Sequence, residues 1–401
     1  MRLILAFLLL APTAWADPPR IVGRTETVFD WSSQRCDTWD IPDSPARAWR
    51  DRAGRVNFMA ASEATRLASG PDLDTLTRAC PVIHAGAHAD TPGAYDDRSW
   101  VAAPYLGRDG RLIALAHVEF HGHRRAGHCT EGTYAACWWN VIVELQSEDG
   151  RNFHRTAGPG DLVASPPRPY QPDQDHRTGY FNPSNIIAKD GYLYAFIFAE
   201  NAPPQRRGAC LIRRPETGGP KDWRAWDGED FTVAFADPYR SDVSDPEKHV
   251  CKPLPGLGST LSSVVRRAGT DEFLAVTPAT LRAPDGKRIP GIWTTTSTDL
   301  IHWQRPELLK ALPLLWNREC GSDFAYAYPS LIDPDSPDPN FGTVDDHFWL
   351  YLVKIALDPE GKTGPERDLI RLPLSWPAPK AEGTGQPDGM PAPSDPPDLP
   401  R

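Results

Sequence analysis

The chain has 401 residues, a formal net charge of −10 and no cluster of Lys and Arg, a balance that argues against nucleic acid or an anionic membrane surface as its partner. With 40% hydrophobic residues it can build a large core, while 43 Pro and 31 Gly favour many turns over long helices.

In chain order, "MRLILAFLLL" places one Arg before an apolar run too short to span a bilayer, and "AWA" at Ala14 to Ala16 supplies small residues for cleavage. Residues 1–16 read as a secretory signal peptide, with the mature chain starting near Asp17 and exported to a periplasm or the outside. No later stretch reads as a transmembrane helix, so membrane insertion is not expected. The seven cysteines, Cys36, Cys80, Cys129, Cys137, Cys210, Cys251 and Cys320, all follow the signal, in a compartment where disulfides persist. Cys129 and Cys137 flank a short loop and could pair. The other connectivities stay open, the odd count leaves at least one cysteine over, and no closely spaced pair suggests structural zinc.

A two-strand phrase then recurs five times: "SPARAWRDRAGRVNFMAASE", "AAPYLGRDGRLIALAHVE", "PSNIIAKDGYLYAFIFAE", "LSSVVRRAGTDEFLAVTPA" and "YPSLIDPDSPDPNFGTVDDHFWLYLVKI". From Ser184 the equivalent serines are Ser262 and Ser330, 78 and 68 residues apart, longer than the roughly 40 to 50 of familiar propeller repeats. Further strand-like sequence follows each copy, such as "WWNVIVELQSEDGRNFHR" and "GIWTTTSTDLIHWQRP", with an apolar strand leading into a Ser-x-Asp turn. Five four-stranded antiparallel units predict an all-β, five-bladed β-propeller over residues 17–375. From Trp376 to Arg401 the composition turns to Pro, Gly, Asp and Ser, a disordered tail.

The phrases "SWVAAPYLGRDGRLIAL", "NPSNIIAKDGYLYAF", "TTTSTDLIHW" and "YPSLID" resemble the repeats of five-bladed propeller glycoside hydrolases. That group contains arabinanases, β-xylosidases, levansucrases and invertases, and the likeness is strongest to family 43. The resemblance spans Cys36 to Leu374 and implies a glycan substrate, an inverting mechanism and no required cofactor, with a calcium ion in the central channel as an option. It further implies an Asp heading blade one as base or nucleophile, a second Asp heading blade three, and a Glu of blade four as acid. In register, Asp43 heads blade one, but Asn182 heads blade three and Thr260 heads blade four, with no Glu nearby. Only one inherited carboxylate is in place.

The residues offer another set. Glu63, Glu119 and Glu200 each lie nine residues after a turn glycine (Gly54, Gly110, Gly191), at the end of the second strand of their blades. An antiparallel second strand returns to the face where the first began, so all three should rim the face of Asp43. Hydrolysis of a glycoside needs two carboxyls. Asp43 with Glu119 is the preferred pair, and Asp97 is the next candidate for the second carboxyl, although Asp96, Asp97 and Arg98 could equally form a salt-bridge cluster. His117, two residues from Glu119, shares its side of the strand. His117, His121, His123 and His128 lack fixed metal-ligand spacing, so no metal site is assigned. Asn182, Glu63, Glu200, His117, Trp39, Tyr328 and Arg98 are the expected substrate-binding residues, with Trp39 and Tyr328 as sugar-stacking platforms. The expected function is a secreted glycoside hydrolase, with a non-catalytic carbohydrate-binding propeller as the alternative and a monomer as the expected state.

Overall fold

The structure is a computed structural model and describes residues 17–130, 132–156, 159–200, 202–317 and 321–377. The signal-peptide segment and most of the Pro-rich tail lie outside the described residues, as does Cys320. Trp376, where the tail was expected to start, is buried and packs on Phe348.

The described chain is almost entirely strand, with a single helical turn at Trp31–Gln34 besides short 3₁₀ turns. Blade one runs through Arg47–Arg50, Val56–Met59, Thr65–Gly70 and Thr77–His84. Blade two uses Arg98–Leu106, Leu112–His121 and Trp138–Ser147, edged by the short strands His154–Arg155 and Leu162–Ala164. Blade three splits its inner strand into Thr178–Phe181 and Ile187–Lys189, followed by Tyr192–Ala199, Gly208–Pro215 and Arg224–Trp226. Blade four comprises Ser263–Arg267, Phe273–Arg282, Arg288–Ser297 and Glu307–Ala311. Blade five takes Phe324–Ile332, His347–Leu357 and Thr363–Ser375, and its outer edge is completed by Arg20–Ile21 and Glu26–Phe29 from the start of the described chain. The sequence repeat did not reveal this closure, because the N-terminal strands are too short to carry a pattern.

Alternation along each strand sends neighbouring side chains to opposite faces, and among the described residues each pair of adjacent blades closes on a large apolar cluster, with a small sixth one of Trp138, Phe181 and Phe198 between blades two and three. Trp49 and Met59 meet Val101 and Val141 between blades one and two. Leu115 and Ile142 meet Leu193 and Ile197 between two and three, and Phe196 and Leu211 meet Val264 and Phe273 between three and four. Val276 and Ile292 meet Leu350 and Leu352 between four and five. Tyr351 and Val353 meet Ala48 and Phe58, which returns the ring to blade one. Five blades with five interfaces make a closed radial assembly: the protein is an all-β, five-bladed propeller.

Polar contacts tie the inner strands together. The Asn185 amide of blade three donates to the Val264 carbonyl and accepts from the Val264 N–H of blade four, at 2.7 and 2.8 Å. Leu331 N of blade five donates to Ser263 Oγ at 3.1 Å. On the axis, the buried Arg47 guanidinium donates to the carbonyls of Ala102 (3.0 Å), Pro183 (3.4 Å) and Ser262 (2.7 Å), one each from blades two, three and four. Burial alone lowers its pKa to about 9.

Three disulfides cross-link the chain: Cys36–Cys80, Cys129–Cys137 and Cys210–Cys251. They fit a protein that matures in an oxidising compartment. No helix among the described residues is long and apolar enough to cross a membrane.

Arg47→Met keeps most of the side-chain volume but strips the donors from three buried carbonyls. Denaturant unfolding should show a loss of about 3 kcal/mol, since each carbonyl left bare costs on the order of 1 kcal/mol. An unchanged midpoint would mean that water serves those carbonyls equally well.

Candidate functional site

At one mouth of the axis a cavity of about 40 Å³ is lined by Asp43, Trp100, His117, Glu119, Asn182 and Tyr328, among others. Asp43 reaches it from the loop before blade one, and Glu119 from the second strand of blade two. The Tyr328 hydroxyl donates to Asp43 Oδ1 at 3.1 Å, and Arg367 Nη1 donates to the same oxygen. Tyr328 takes a φ of +57° within a register shift of the strand Phe324–Ile332, a bulge that re-aims its ring toward the axis. Asn182 has a φ of +44°. Two non-glycine residues in the left-handed region at one cavity are held there by their surroundings, as strained functional sites often are.

Glu119 is enclosed by histidines. His121 Nε2 stands 2.8 Å from its Oε2, and His117 Nε2 stands 3.7 Å from its Oε1. The Asn140 amide N–H is committed to the Thr178 carbonyl at 3.1 Å, so its oxygen accepts from His117 Nε2 at 2.8 Å and fixes the proton on that nitrogen. Burial drives the Glu119 carboxyl up to about 7; His117 and Arg98 oppose the rise, and the charges of Asp43 and Glu63 reinforce it. Burial also lowers the pKa of both histidines, His121 to about 3, so both rings are neutral at pH 7.

The remaining expected site residues fall into four groups. Glu63 is ion-paired to Arg98, whose strand position is directly opposite Glu119, so both border the cavity's environment without lining it. Asp97 is the least suited to be the second carboxyl: it is buried, clamped by Arg125 at 3.0 and 2.7 Å, and accepts from His121 N at 2.9 Å. With its oxygens so engaged, it positions the strand end that carries His121. Glu200 accepts from Arg177 Nε and Nη2 at 2.9 and 2.5 Å and from Arg207 Nε at 2.9 Å, on blade three beside the blade that carries Glu119. Trp39 is solvent-exposed and lines neither the cavity nor its neighbour, so the stacking role expected of it has no geometric support.

The cavity adjoins a larger groove of about 410 Å³ over blades three to five, with which it shares Pro45, Asn182 and Tyr328. Arg177, Arg207, Arg288 and the exposed Trp316 line that groove. The sequence reading did not single out these arginines, or Arg47 and Arg367, because an isolated Arg in a strand or loop carries no pattern.

A channel calcium does not fit the residues on the axis. The inward carbonyls of three blades are already occupied by Arg47, itself a fixed positive charge, and no group of three or more His, Cys, Asp or Glu among the described residues could hold a metal ion.

These features define a propeller with a carboxylate pocket at its axis. No family model matches the chain, and no curated protein does. Among solved structures, the chain is similar to the catalytic domain of a family GH62 α-L-arabinofuranosidase from Coprinopsis cinerea, at 10% identity and a TM-score of 0.46, covering 90% of this chain and 97% of that one. It is also similar to an α-L-arabinanase from Cellvibrio cellulosa complexed with arabinohexaose, at 12% identity and a TM-score of 0.45, covering 84% and 93%. An endo-arabinase from Bacteroides thetaiotaomicron matches at 13% identity and a TM-score of 0.42, covering 89% and 99%. At such identities and TM-scores the likeness assigns this chain no substrate.

The raised carboxyl of Glu119 has a consequence for stability. The group carries no penalty below its ordinary pKa of 4.5, and the cost of keeping it buried grows as pH rises to about 7. Glu119→Gln removes the titrating group. Thermal unfolding should therefore show a pH-dependent gain, on the order of 3 kcal/mol more at pH 8 than at pH 4. A gain or loss that is the same at both pH values would show that Glu119 does not titrate in that window.

Proposed function

We propose that this chain is a secreted glycoside hydrolase acting on a polysaccharide or oligosaccharide at the axial cavity. The observation that carries the reading is one cavity lined by two carboxyls with different surroundings. Glu119 is buried among neutral histidines with its pKa near 7, and Asp43 faces a guanidinium and a tyrosine hydroxyl. Glycoside hydrolysis divides its work in this way. Protonated Glu119 gives its proton to the glycosidic oxygen as the bond to the anomeric carbon breaks. Asp43 takes a proton from the water that attacks the opposite face, in the inverting course that the sequence resemblance implies. Asn182, in place of an inherited Asp, offers an amide to a sugar hydroxyl, and Trp100 supplies an apolar wall.

The second reading, a carbohydrate-binding propeller without turnover, is favoured by a specific observation: Asn182 and Thr260 stand at the heads of blades three and four, where the resembled hydrolases carry or adjoin an acid.

Reducing-sugar release from arabinans, xylans, fructans and bacterial surface glycans separates the two. The hydrolase reading expects turnover by the native protein that falls by about 10²- to 10⁴-fold in Asp43→Asn and in Glu119→Gln. With Glu119 as the acid, kcat/KM should decline as pH rises above about 7, and Glu119→Gln should abolish that alkaline limb. Glycan binding without release, unchanged by Asp43→Asn, would instead establish the binding propeller.

A further inference from the structure

The groove beside the cavity has a charge that its protein does not. Three arginines, Arg177, Arg207 and Arg288, line it, and no carboxylate does among the described residues. Glu200 sits behind it and is shared by two of them: Arg177 donates to one of its oxygens and Arg207 to the other. Arg288 is exposed, has no ion-pair partner among the described residues, and is paired across its hairpin with a further arginine, Arg282. Among the described residues, one carboxylate against three guanidinium groups leaves the groove with a surplus of two positive charges, in a chain whose net charge is −10.

The arginines are also arranged for recognition. Arg177 lies over the rings of Phe181, Trp138 and Trp316, at 5.1, 5.4 and 5.6 Å from their centroids, and Arg207 lies 4.9 Å over Phe198. Stacking and the shared Glu200 hold both guanidinium planes in place, which lowers the entropy lost when they engage a ligand. Trp316 and Tyr326 add flat apolar faces along the same wall. Arg177 is close enough to the axis for its charge to act on His117. The groove therefore places fixed cations and aromatic faces one step from the carboxyl pair.

We propose that the groove binds an acidic glycan, with the carboxylate of a uronic acid residue received by the arginines and its ring against Trp316. The proposal rests on the reading of this face as a glycan site, and it adds the substrate class. A planar carboxylate matches the guanidinium fork, and a neutral glycan would leave the surplus charge without a partner.

The test is affinity electrophoresis at low and high salt with polygalacturonate, glucuronoxylan, alginate and hyaluronate, each beside its carboxyl-reduced neutral form, with dextran sulfate as a purely electrostatic probe. At least one uronate polymer should be retained about tenfold more strongly than its reduced form, and Arg288→Gln or Arg177→Gln should each remove most of that preference, since a charge-assisted bidentate contact is worth about that factor. Arg288 is exposed and has no ion-pair partner among the described residues, so its variant keeps the experiment interpretable if Arg177→Gln fails to fold. Equal retention of acidic and reduced forms, retention of dextran sulfate alone, or no retention of any uronate polymer would overturn the proposal. Assaying reducing-sugar release by the native protein on the same polymers separates the two readings. Uronate-selective binding with no release by the native protein would sink the hydrolase and leave this inference standing, whereas release from neutral glycans without acidic preference would do the reverse.

Discussion

The Arg47 guanidinium is the contact on which the rest of the propeller depends. It leaves blade one, reaches the axis fully buried, and donates to a backbone carbonyl of each of blades two, three and four. Inner strands converging on an axis leave carbonyls facing inward that no sheet neighbour can satisfy, and a buried carbonyl without a donor is costly. The guanidinium fork supplies several donors from one point, and the same atoms that satisfy the backbone fix the separation of the blades. The cost is a buried cation with no carboxylate partner among the described residues, visible in the lowered pKa of Arg47.

That axis orders the chemistry above it. Four residues before Arg47 the chain presents Asp43, so the position of the first carboxyl follows from the same segment that fills the channel. Glu119 is placed by a different constraint, the register of blade two, which sets it opposite Arg98 and beside the second strand's own His117 and His121. The asymmetry between the two carboxyls is one of environment: Glu119 is buried among rings, and Asp43 faces Arg367 from blade five. Closing the ring brings blade five next to blade one, so the charge opposite Asp43 exists only in the closed propeller.

The groove shows how a surface can carry a charge opposite to that of the whole molecule. Several of the acidic residues that give the chain its net charge serve turns, as with Asp149 and Asp299, each of which accepts from backbone N–H groups two and three residues on. The arginines of blades three and four are set against aromatic rings and one another. Net charge thus describes how the protein behaves in solution, while the local field at the groove is decided by which residues converge there.

Read alone, the sequence determined the five-fold repeat and its antiparallel strand order, and it pointed to a disulfide-forming compartment and to Asp43, Glu119, Asn182 and Tyr328 as candidates for one pocket. All of these follow from local periodicity and turn chemistry, which are written in consecutive residues. The convergence of Arg47, Arg367, Arg177, Arg207 and Arg288, the capture of Asp97 by Arg125, the exposure of Trp39 and the completion of blade five by the N-terminal strands were decided only by the tertiary structure. Each depends on which distant segments meet when five interfaces close, as when Arg367 reaches Asp43 across 324 positions of sequence. A single arginine or a two-residue strand has no periodicity of its own, so its role is fixed by its neighbours in space.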